Sequence, residues 1–144
     1  MGGLPVIRQQ VHIDKYEWDV WCYFDTKTKD AATVLERLDQ VGIPDREYYR
    51  AAELLYNGSR NSGLTYTHPD KRTSIVVITH TTSPEQTLNT FSHELRHLAD
   101  DIALANDIPA RGEQVAYLTG DIAMILAANI LHLACYCPIC SHHQ

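Results

Sequence analysis

A chain of 144 residues is long enough to bury one core without disulfides or a partner, so a single domain is the starting expectation. Apolar residues at 44% and charged residues at 21% match a soluble, folding chain and exclude a disordered one. With 18 acidic against 12 basic side chains the net charge is -6, which is no footprint for a phosphate backbone and excludes nucleic acid as the expected direct ligand.

The opening run Met1-Gly2-Gly3-Leu4-Pro5-Val6 has neither the basic nor the long apolar region of a secretory signal, and a cytoplasmic location is expected. From Val11 to Asp25 apolar residues alternate in patches, Val11 and Ile13, then Trp18, Val20, Cys22 and Phe24, which predicts one long half-buried strand. Thr28 or Asp30 caps a helix whose apolar positions Ala31, Val34, Leu35 and Leu38 recur at helical spacing until Gly42. Pro44 sits at the first position of a second helix, which runs through Tyr48, Ala51, Ala52 and Leu55 to the Asn57-Gly58 break.

Leu64 to His68, the turn residues Pro69-Asp70-Lys71-Arg72, and the β-branched run Thr73 to Thr79 read as a hairpin. Its second arm either presents a free edge to an extended peptide or lies buried in the sheet centre. Ser83-Pro84-Glu85 supplies a cap, a proline at the first helical position and an acidic first turn, so a helix starts there and runs to about Asn106.

After Pro109 and Gly112, the positions Val115, Leu118, Ile122, Ile125, Ala128 and Leu131 imply a last long helix. The stretch Val115 to Tyr136 approaches the length of a membrane span, but Asp121, Asn129 and His132 interrupt it, so a buried core helix is expected and no membrane partner. Domain 1–134 is followed by a tail, 135–144, in which Cys135, Cys137, Cys140, His142 and His143 gather soft ligands. A second metal site, an autoinhibitory thiolate or imidazole, or a frayed terminus all fit that composition.

On the Ser83 to Asn106 helix, Leu88, Phe91, Leu95, Leu98 and Ile102 form one stripe, while Thr90, His93, His97 and Asp100 or Asp101 form another. Residues four apart on a helix have Cβ atoms about 5 to 6 Å apart, so the two imidazoles can share one tetrahedral ion. Glu94, turned by about 100° from His93, is placed to lean over an open coordination position and act on bound water.

The run His93-Glu94-Leu95-Arg96-His97 is the HExxH signature and resembles that of the zincin metallopeptidases. Glu113, which follows a Pro-marked break, and the run Gly112-Glu113-Gln114-Val115-Ala116-Tyr117 resemble the gluzincin branch, in particular the minimal gluzincins and ImmA/IrrE-type peptidases. The resemblance covers about residues 73–128. It implies Zn2+ held by His93, His97 and Glu113, with Glu94 as the catalytic base. Glu113 also suits a first helical turn as an acidic residue. Tyr117, one turn beyond, is a candidate donor to the developing oxyanion or an ordinary aromatic. Where many gluzincins have an aspartate at that spacing this sequence has Tyr117, and Asp100 or Asp101 is the alternative partner for a histidine ligand.

The expected fold is therefore α+β and zincin-like, a small sheet packed on the HExxH helix and on a second long helix that returns Glu113 to the metal. The expected activity is zinc-dependent hydrolysis of a peptide or protein substrate. A module that binds zinc, regulates or docks, and cleaves nothing is the alternative. Oligomeric state has no signature in this sequence.

Overall fold

The computed structural model describes residues 6–135, 137 and 139. Its elements are β1 (Ile7–Ile13), β2 (Trp18–Thr26), α1 (Ala31–Val41), α2 (Asp45–Tyr56), β3 (Gly63–His68), β4 (Thr73–Thr79), α3 (Pro84–Ala105) and α4 (Glu113–Leu133). The fold is α+β, with a mixed sheet in the order β1-β2-β4-β3. Each hairpin is antiparallel, and the two join through a parallel pairing of β2 with β4. That order puts β4 in the interior of the sheet and β3 at its end, so the run Thr73 to Thr79 is a central strand and the free edge belongs to its partner.

The single long strand expected over Val11 to Asp25 is instead interrupted. Asp14–Tyr16 forms one turn of 3-10 helix, and Glu17 closes it at φ 49°, ψ 53°. The β3–β4 connection repeats this construction, Pro69–Lys71 followed by Arg72 at φ 47°, ψ 49°. A left-handed residue that is neither Gly nor Asn leaves little trace in a sequence, so only the turn that Pro69 marks was legible. Arg72 ties the two turns together: it donates to the Tyr16 carbonyl, donates to Asn106 Oδ1 at 2.7 Å, and lies over the Trp18 ring.

Strand alternation divides the core in two. Trp18, Val20, Cys22, Phe24, Val76 and Ile78 face α3 and α4, whereas Tyr23, Ile75 and Val77 face α1 and α2. Burial among those apolar neighbours pushes the Cys22 thiol up to about 12, which makes it an inert core residue. Gly42 closes α1 at φ 97°, and Pro44 precedes α2 as its cap rather than occupying its first turn. At the start of α3, Ser83 Oγ accepts the Gln86 N–H at 3.1 Å and Pro84 follows it.

The buried stripe of α3 runs through Phe91, Leu95, Leu98 and Ile102; Leu88, expected on it, is exposed. On α4 the buried positions are Leu118, Ile122, Leu126, Ile130 and Leu133. Ile125, Ala128 and Leu131, expected in the core, lie on the outer face. By length and composition α4 could cross a membrane, and only 28% of its most apolar stretch is buried, so it is a half-covered helix rather than the buried one expected. Gln9 of β1 anchors it, donating to the Ile125 carbonyl and accepting from Asn129 Nδ2. In the tail, Cys137 donates its backbone N–H to Cys135 Sγ at 3.3 Å; Cys140, His142 and His143 lie outside the described residues.

Candidate functional site

The helical period carries His93 and His97 to the same side of α3, where their Nε2 atoms stand 3.2 Å apart with the ring planes at 72°. Two nitrogens each about 2.0 to 2.1 Å from a tetrahedral zinc ion would be roughly 3.3 Å apart, so this pair fits two corners of such a site. At this distance one ring's Nε2–H can donate to the other's bare Nε2, and with both Nε2 lone pairs free the two rings could instead share a metal ion. Both rings are open to solvent.

Glu94, between them in sequence, points inward and is 4% exposed. A buried carboxylate is costly without donors, and here the donor comes from the end strand: Thr65 Oγ1 lies 2.9 Å from Glu94 Oε1 and 3.3 Å from the Glu94 carbonyl oxygen. Gly63, two residues earlier on the same strand face, makes room. A Cβ at Gly63 would stand 2.8 Å from Glu94 Cγ, 3.0 Å from Glu94 Oε2 and 2.5 Å from the Val77 carbonyl oxygen.

Thr67, the next residue on that face, hydrogen-bonds Asp101 Oδ2 at 2.7 Å. The contact ends a polar chain that starts in the core, where Trp18 Nε1 donates to Ser74 Oγ at 2.9 Å and Ser74 meets Thr67 Oγ1 at 2.7 Å. Thr90, one turn before Glu94, has a buried hydroxyl that makes no hydrogen bond among the described residues.

The histidine pair and Glu94 line a two-part cleft along β3. One part, of about 410 Å³, is walled by α2 and β3 and includes Glu47, Arg50, Tyr66, His97 and Asp101. The other, of about 310 Å³, includes Asn61, Ser62, Asn89 and Thr90. Leu54, Gly63, His93 and Glu94 border both. Burial, and then the nearby charge of Glu47, hold the Tyr66 phenol above its usual range, so it stays protonated and donates to the Gly42 carbonyl oxygen at 3.1 Å.

The structure thus brings His93, Glu94 and His97 together beside an end strand. Glu113 and Tyr117 are not brought to them: both are exposed on α4, and neither lines the cleft, whose walls include α2, β3 and α3. The reason is the packing of α4, whose buried stripe joins the apolar stripe of α3 in one core, while the histidines stand on another face of that helix. No group of three metal-ligating side chains forms among the described residues. Asp100 pairs with Arg96 at 2.9 Å and Asp101 with Thr67, so neither is engaged with a histidine. Sequence reasoning missed Gly63, Thr65 and Thr67; their alternation along one strand was the available signal.

The candidate site is therefore a histidine pair and a buried glutamate on one helix of an α+β domain. Comparison with protein-family models, with curated proteins and with solved structures finds no match for this chain, so the resemblance to the zincins rests on the sequence motif.

Proposed function

We propose that this protein hydrolyses peptide bonds, with a zinc ion held by His93 and His97 and with Glu94 as the general base. The observation that carries the reading is the 3.2 Å approach of two imidazole nitrogens directly beside a buried, strand-anchored carboxylate. When bound, zinc supplies a Lewis acid and a water of lowered pKa. Glu94, which borders both parts of the cleft, would serve as the general base toward a water beside the histidine pair and as the acid toward the leaving amine. An extended peptide or protein segment adds to the outer edge of β3, so that residues on both sides of the scissile bond lie in the cleft. On the same grounds the fold is read as zincin-like, an active-site helix running under the end strand of a small sheet. The expected setting is cytoplasmic.

Of the remaining carboxylates, Glu47 and Asp101 line the cleft and Glu113 does not. This incomplete ligand set favours the second reading, a zinc-binding regulatory or interaction module without turnover. Glu94→Gln separates the two. On the hydrolase reading the zinc-loaded variant keeps its metal and loses cleavage of an unfolded protein such as casein by about 10²- to 10⁴-fold. A wild-type protein that is saturated with zinc and cleaves nothing returns the second reading.

A further inference from the structure

We infer that Thr65 is a positioning residue for Glu94, and that through it the strand receiving the peptide also aims the carboxylate that acts on water. The inference rests on the hydrolase reading of Glu94. Its geometry does not, because three observations about the strand and the helix stand by themselves.

The Thr65 hydroxyl meets one carboxylate oxygen at 2.9 Å, while the bare backbone of Gly63 leaves space for the other side of the group. Glu94 is buried, so this contact is not diluted by water as a surface one would be. Thr65 also belongs to the end strand, whose outer edge pairs with no other strand of the sheet. A peptide pairing with β3 stiffens the segment that carries the hydroxyl, and the carboxylate is then held in a narrower range of directions. Misplacing a reacting group by about 1 Å costs on the order of 10² in rate, which is the size of effect one hydrogen bond at this place controls.

The test uses two measurements on the full chain. In the zinc-loaded protein, Thr65→Val lowers kcat about tenfold or more while KM and zinc affinity stay near wild type, and Thr65→Ser restores most of the rate. In the metal-free protein, urea unfolding of Thr65→Val, Glu94→Ala and the double variant gives midpoint shifts that fall short of additive, because both single changes remove the same contact. Additive shifts overturn the inference whatever the activity. A Thr65→Val enzyme with unchanged kcat, or one whose zinc affinity falls in step with its rate, overturns it too and leaves the hydrolase reading standing. A wild-type protein without any turnover removes the hydrolase reading, and the positioning role falls with it.

Discussion

α3 and α4 are nearly the same length, 22 and 21 residues, and pack on the same face of the sheet, yet they differ in what they bury. α3 takes Thr87, Thr90 and Glu94 inside together with its apolar stripe. α4 buries only apolar residues and leaves Tyr117, Met124 and Leu131 exposed at 68%, 72% and 65%. Polar groups taken out of water destabilise a fold unless they are hydrogen-bonded, so a helix that holds a carboxylate inside has to be matched by a donor on its neighbour. α3 has that match in β3, and nothing on α4 calls for one. The candidate site thus lies on the helix that buries polarity, and the more apolar helix contributes packing alone.

The sharpest way to break that contrast is to compare single polar atoms on the two helices. Glu94→Gln on α3 lowers kcat by about 10²- to 10⁴-fold, whereas Tyr117→Phe on α4 leaves it unchanged. Steady-state cleavage of one fluorogenic peptide measures both. If the phenylalanine variant loses rate on the scale of the glutamine one, α4 belongs to the site and its exposed face closes over the cleft.

A second comparison concerns packing. Leu98 is fully buried on α3, and Leu98→Ala costs about 2 to 5 kcal/mol of stability; Leu131→Ala on the outer face of α4 costs about 0.5 kcal/mol or less. Urea denaturation gives both numbers. Comparable losses would mean that the outer face of α4 is covered in solution.

The polar chain from the core to the cleft comes next in size. Ser74→Ala strips Trp18 Nε1 of its acceptor and leaves Thr67 with Asp101 alone, and an unpaired buried donor costs about 1 to 3 kcal/mol. An unfolding midpoint equal to wild type would show that Trp18 finds another acceptor.

Much of α3 was legible because local signals agreed: Ser83 and Pro84 at its start, a 3.6-residue apolar period, and two histidines one turn apart. The β3–β4 hairpin was legible because Pro69 marks its turn. The first hairpin was not, since Glu17 adopts a left-handed conformation with no residue-type signal, and a polar connection of similar length reads as a continuation of the strand. On α4 every position from Ile122 to Leu133 except Asn129 and His132 is apolar, so periodicity could not say which stripe meets the core; Ile125 and Leu131 were read as inside for that reason. The same ambiguity hid the direction in which Glu113 points. Thr65 and Gly63 were missed for a different reason: their alternation marks one strand face, but which strand lies along α3 is a tertiary fact.

The smallest effect lies far from the cleft, in the first hairpin, and its sign follows from one histidine. His12 Nδ1 lies 2.8 Å from Asp19 Oδ1, with Nε2 3.4 Å from Glu17 and 3.8 Å from Asp14. The hydrogen bond to Asp19 is the main cause that raises the imidazole pKa above 6.5; the charges of Asp19 and Glu17 add to it, and partial desolvation opposes it. A raised value in the folded state means that folding favours the protonated ring. Its contribution is therefore fully present below the unfolded pKa of about 6.5 and is lost as pH rises through the folded value. Because the ring is exposed and screened, the effect is small, and His12→Gln isolates it. The gap in Tm between wild type and variant should narrow from about pH 5 to about pH 9. A gap that stays constant or widens would mean that the three carboxylates hold the turn without help from the histidine's charge.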